Sequence, residues 1–286
     1  MNDAMSFGEL WAARELFAAP IACAAIAGLV LGFLSVFIVL KRMVFISATV
    51  SQCAGLGVAF AFWIEIFVGV HLPPVLVAAL VAIAATLLCA IDPRRLGLSR
   101  EALLGLVYAL SASLAVLLGD KLAQEAHDVQ SILFGTAVLV RDVDVWLVAG
   151  VGALILLPGI WAYRGLTFAI FDEGAARAQG LPVTALKGAL LIAIGAMIGV
   201  AARALGALPI FAFSTLPAVA ALRFRLPLKG VLGAALLLGA FDGLAGYLAA
   251  FRFNLPVGAS QATVACLVAL AALVVGWLRD RLGGGR

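Results

Sequence analysis

Residues 17–40 read FAAPIACAAIAGLVLGFLSVFIVL, a run without a single charge, and the next two residues are Lys41 and Arg42. As a helix rising 1.5 Å per residue, this run is about 36 Å long, enough to cross the roughly 30 Å hydrocarbon layer of a bilayer. The basic pair that ends it marks the side on which positive charge is retained. The same pattern recurs along the chain. Apolar runs of spanning length fall at 17–40, 48–70, 73–91, 101–119, 143–163, 186–204, 205–222, 228–250 and 255–278. The seventh contains Pro209 and Pro217 and reads as a broken or re-entrant helix, which leaves eight or nine crossings open. Composition agrees: 65% of the 286 residues are apolar and 12% charged, against about 25% charged in soluble domains. No soluble packing hides so much apolar surface, so the remaining contact is with lipid. The fold class is all-α, a polytopic transmembrane helical bundle forming one domain over 1–286.

Basic residues give an orientation. Lys41 and Arg42, then Arg94, Arg95 and Arg100, then Arg164, Arg177 and Lys187, then Arg223, Arg225 and Lys229, and finally Arg279, Arg281 and Arg286 follow alternate spans. These segments are expected in the cytoplasm, with the N-terminus outside and the C-terminus inside. Residues 1–16 carry Asp3, Glu9 and Glu15 against Arg14, the wrong balance for a cleaved signal peptide, so they are expected in the mature chain. The net charge of +4 is explained by this orientation, and nucleic-acid binding is a poor reading.

Two connections are long enough to have functions. The outer segment 119–144 is acidic and contains the apolar stretch 132–140, suited to lie against the outer face. The inner segment 167–185 reads TFAIFDEGAARAQGLPVTA. Asp172 is a good N-cap, Glu173 suits the positive end of a helix, and Gly180 with Pro182 is a stop signal. The expected helix has roughly two turns. Phe168 and Phe171 before it, with Ala175 and Ala178 on it, suit either a partner surface or a capped loop on the membrane, and periodicity does not choose between them.

Polar residues within spans are the functional candidates. Ser47, Thr49, Ser51, Gln52 and Cys53 cluster where the second span begins, with Ala48 and Gln52 sharing one helical face. Their alternative role is ordinary hydrogen bonding between helices. Glu65 lies about 9 Å of helix rise from His71 and is placed to reach the outer interface. Asp242 is deep, about 12 Å inside the outer end of its span, with Arg203 or Arg252 as candidate partners or else a protonated carboxyl. Catalytic chemistry is hardly supported. There is no G-x-x-x-x-G-K-[ST] loop, no H-E-x-x-H, no G-x-S-x-G, and no Cys-x-x-Cys pair among the four cysteines. Any ATP hydrolysis belongs to another chain, and His127 with Asp128 suits a solvated loop face first and metal ligation second.

Five stretches carry a resemblance: KRMVF at 41–45, LFG at 133–135, FDEGAARAQGLPV at 171–183, LGALPIFAFSTLPAVAA at 205–221 and LPVG at 255–258. In this order, over almost the full length, the chain resembles the membrane permeases of bacterial zinc- and manganese-type ABC importers. The resemblance implies a homodimer in the bacterial inner membrane with a central path. A cytoplasmic ATP-binding-cassette ATPase would dock on each subunit, and an extracytoplasmic solute-binding protein would deliver cargo. This chain would bind no cofactor, ATP being used by its partner.

The resemblance also favours the partner surface for segment 167–185. Phe171, Asp172, Glu173, Arg177 and Gly180 would then receive the ATPase, while His127, Asp128 and Phe134 in the outer segment would face the delivery protein. One departure concerns the cargo. Where family members carry a Gly-Asp…His pattern lining the path, this sequence has Ser47, Ala48 and Gln52. Ala48 has no lone pair and Gln52 only an amide oxygen, whereas zinc and manganese favour imidazole and carboxylate. Import of a divalent metal is the first reading. A chelated metal or non-metal solute on the same architecture is the second, and a membrane scaffold that transports nothing is the third.

Overall fold

The computed structural model describes residues 14–90, 97, 99–125 and 140–283, and among these the regular secondary structure is entirely helical. The helices are α1 (Arg14–Leu40), α2 (Val44–Val68), α3 (Pro74–Ala90), α4 (Arg100–Glu125), α5 (Asp142–Phe171), α6 (Glu173–Ala178), α7 (Val183–Leu205), α8 (Ala207–Phe213), α9 (Leu216–Leu222), α10 (Leu228–Phe253) and α11 (Val257–Gly283). Seven of them are long and apolar enough to cross a membrane, and the stretches Pro74–Cys89 and Ala207–Leu222 are shorter apolar elements. These nine correspond to the nine apolar runs of the sequence.

Boundaries shift where local chemistry overrides hydropathy. Lys41, Arg42 and Met43 make a tight turn with Arg42 at φ +55° and the Met43 amide bonded to the Ile38 carbonyl, so α2 begins at Val44 and not at 48. α5 continues past Arg164 to Phe171, two turns beyond the expected end at 163. Arginine is a good helix former, and a charge that reaches water does not stop the backbone. The 205–222 run is divided. Gly206 at φ +82° separates α7 from α8, and α9 restarts after Ser214 and Thr215 with Pro217 in its first turn, where a missing N–H costs nothing.

The bundle is organised around α1, the most buried of the spanning helices, whose Leu31, Leu34, Phe37 and Ile38 are fully enclosed. α10 lies along it at close range: a Cβ at Gly28 would come within 2.1 Å of the Gly239 carbonyl oxygen. With no hydrophobic drive between helices in lipid, such backbone approach supplies dispersion contacts. Contacts also sort the helix ends. Phe17 of α1 meets Phe251 of α10, and Arg203 of α7 bonds Asp144 of α5, at one end. Lys187 reaches Glu173, and Arg223 reaches Asp280, at the other. Arg203 and Arg223 flank α8 and α9, so this discontinuous pair passes from one end of the bundle to the other.

Candidate functional site

The polar cluster at the start of α2 resolves into two sides. Ser47, Thr49, Ser51 and Cys53 are buried. The Ser47 hydroxyl donates to the Val44 carbonyl at 2.8 Å and that of Ser51 to the Ala48 carbonyl at 2.8 Å. Both hydroxyls are thus spent on their own helix. Thr49 donates to the Phe45 carbonyl at 2.9 Å and lies 3.3 Å from the Leu104 carbonyl, tying α2 to α4. Cys53 is 5% exposed and packs in the same seam.

Ala48 and Gln52, in contrast, are half-buried on the other side. Ala48 lines a groove of about 400 Å³ with Phe45, Thr49, Glu101, Tyr108 and Phe211, and Gln52 is not in that lining. Phe45 is 70% exposed, an arrangement that leaves the groove accessible. Glu101, from the first turn of α4, is the carboxylate of this groove. Neither Glu101 nor Tyr108 nor Phe211 stood out in the sequence. Glu101 reads there as an exposed acid at a favourable helix start, and no spacing rule tells which face of α4 meets α2.

The remaining candidates do not converge on that groove. Glu65, at the far end of α2, accepts through Oε1 from His71 Nδ1 at 2.7 Å; Gly69 in the left-handed region turns the chain back to allow it. Asp242 has no exposed surface, and neither carboxyl oxygen has a hydrogen-bond partner. Of its two candidate partners, Arg203 is committed elsewhere, to Asp144 at 3.0 Å. Among the described residues no group of three or more His, Cys, Asp or Glu side chains is arranged to hold a metal. His127, Asp128 and Phe134 lie outside the described residues.

Segment 167–185 builds a defined device. Asp172 caps α6, its Oδ1 accepting from the Ala175 amide at 2.8 Å. Glu173 is held by Arg177 at 2.6 Å on the same helix and by Lys187 at the start of α7. The Lys187 hydrogen bond is the main cause that keeps the Glu173 carboxyl below its ordinary range. Lys41, in the turn before α2, is pushed down by burial first and then by Lys187 and Arg100, with Glu173 opposing. Segment 167–185 and the turn before α2 therefore lie within electrostatic reach of each other. Gly180, at φ +78°, reverses the chain after α6, a conformation strained for other residues. Phe171 is 70% exposed, but Phe168, expected beside it on the surface, packs inward against the cluster of Ala169, Ala176 and Val183. Its helical register within the extended α5 turns it away from solvent.

Comparisons with known proteins agree with this architecture. Residues 13–276 match the family described as the ABC 3 transport family. An uncharacterized membrane protein of Synechocystis, slr2045, is 28% identical over 264 residues, with 90% of each chain covered. The manganese import system permease protein ScaB of Streptococcus gordonii is 26% identical over 254 residues, covering 88% of each chain. Among solved structures, a chain of PsaBC from Streptococcus pneumoniae, determined in complex with Fab, superposes with a TM-score of 0.79 at 25% identity. That match covers 93% of this chain and 95% of the other.

Proposed function

The chain belongs to the ABC 3 transport family, and from that premise we propose that it carries a divalent metal ion, manganese or zinc, into the cell. It is a multi-pass membrane permease of the ABC metal-importer type. In the proposed cycle it works as a homodimer with a cytoplasmic ATPase and an extracytoplasmic solute-binding protein. The observation that carries the coupling role is α6: short, capped by Asp172, held to α7 through Glu173 and Lys187, and presenting Arg177 outward beside the exposed Phe171 at the end of α5. Such an element takes force from a separate protein and passes it to a spanning helix.

Alternating access follows in outline. Closure of paired ATPases would push α6; α7 and the Lys41 turn would move with it; the groove beside Ala48 would change its exposure. Glu101 supplies a carboxylate for a hard or borderline cation at the place where Ala48 supplies nothing. Manganese has the support of relatives named for that metal, ScaB among them. The test is uptake of radioactive manganese and zinc by cells with and without the gene. Loss of manganese uptake, and its reduction by Glu101→Gln, is the expected result; unchanged uptake of both metals overturns the metal reading.

A second reading has its own observation. Ala48 brings no ligand to the groove, and Gln52, half-buried one turn further along α2, carries only an amide, which suits a cargo already wrapped in a chelator. Restoring Asp and His by Ala48→Asp with Gln52→His discriminates the two. Free-metal uptake rises if the cargo is a bare ion, whereas transport of a chelate is unimproved or damaged.

A further inference from the structure

A second groove, of about 420 Å³, lies between α1, α5 and α10 and is separate from the groove beside Ala48. Phe33, buried at 3% exposure, contributes from α1; Ile160 and Tyr163 contribute from α5; Lys229, Gly233 and Leu236 contribute from α10. Most of this lining is hydrocarbon. One end is different. The Tyr163 hydroxyl accepts a hydrogen bond from Arg164 Nε at 3.0 Å, and Lys229 interacts with the same hydroxyl.

Only some of the cations on this end of the bundle are neutralised. Lys187, Arg177, Arg223 and Arg225 each have a carboxylate, but among the described residues Arg164 and Lys229 form no ion pair. α10 begins at Leu228 with no acidic residue in its first turn, so its free N–H groups add further positive potential beside Lys229. A strip of apolar surface ending in two unneutralised cations and a hydroxyl has the complementary layout to a phospholipid with net negative charge. A zwitterionic lipid would bring its own cation to a place that already has two.

We propose that this groove is a binding site for an anionic phospholipid, with the phosphate held by Lys229, Arg164 and Tyr163 and an acyl chain lying along Phe33, Gly233 and Leu236. Basic pockets between membrane helices on the positively charged side are suited to such headgroups. Gly233 is what keeps the groove open: a Cβ there would meet no atom within 4 Å. Gly233→Phe therefore fills the groove without a clash at Cβ, and phenylalanine is a better helix former than glycine. The proposal does not depend on what cargo the protein carries.

The experiment is native mass spectrometry of the purified full chain with equal amounts of phosphatidylglycerol and phosphatidylcholine bearing the same acyl chains. Wild type should retain phosphatidylglycerol over phosphatidylcholine by about tenfold or more. Lys229→Gln with Arg164→Gln should bring that ratio to about one, and Gly233→Phe should lose both lipids. Thermal unfolding without lipid verifies that each variant folds. Three results overturn the proposal: no headgroup preference in wild type, a preference undiminished in the double variant, or retention undiminished in Gly233→Phe. Loss of the bound lipid on addition of inorganic phosphate alone would assign the cations to a soluble anion and overturn it as well.

Discussion

Asp242 is enclosed in α10 with both carboxyl oxygens unpartnered. A bare charge in that position would cost several kcal/mol, so the negative form contributes nothing to the fold. Asp242→Asn keeps the shape without the ionisable group, and its melting temperature in detergent should equal or exceed that of wild type. The pair of Arg203 and Asp144 behaves in the opposite way. Their side chains are 15% and 5% exposed, and Arg203→Met would leave the buried Asp144 without its guanidinium partner, held only by the Arg141 amide on Oδ2. Unfolding should lose about 3 kcal/mol, and Asp144→Asn in the same chain should recover part of it. The sequence marked Asp242 as an ionisable group within a span and offered Arg203 or Arg252 as its partner, or a protonated carboxyl. Asp144 is 59 positions from Arg203, and the antiparallel register that joins them is set by packing between α5 and α7, which spacing does not encode. Glu101 escaped notice for the same reason.

At α6, the cap, the acidic first turn and the stop glycine each had a local signal, which is why this element was legible. Asp172, Glu173 and Gly180 act within one or two turns of where they stand, so their order along the chain was sufficient. Asp172→Ala should cost about 1 kcal/mol of cap and raise amide exchange at Ala175, measured by hydrogen exchange mass spectrometry. The Glu173 contacts are pH-dependent with a definite sign. Its folded pKa is held below the ordinary carboxyl value, so its contribution is complete above that value and is lost as pH falls through the depressed one. Exchange in 173–180 should therefore rise on acidification in wild type and be flat over that window in Glu173→Gln. The partner of this carboxylate, Lys187, could not be found from the sequence because it belongs to the next helix. The end of α5 was also misplaced there, since Arg164 looked like a boundary and is only a side chain reaching out from a continuing helix.

Across the whole bundle, hydropathy was sufficient for the number and order of apolar elements, because lipid imposes length and polarity on each one separately. It could not decide whether 205–222 crosses; the ion pairs of Arg203 and Arg223 at opposite ends answer that. The absolute orientation is testable. Arg225→Cys should react with an impermeant maleimide in inside-out vesicles and stay unlabelled in intact cells; labelling of intact cells would invert the assignment. The close seat of Gly28 on Gly239 has one more outcome. A slip of one residue along either axis would set Ala27 or Ala240 into a gap that accepts no methyl group. α1 and α10 are therefore keyed like a ratchet with a single tooth. Whatever rocks during transport, these two helices travel together as its keel.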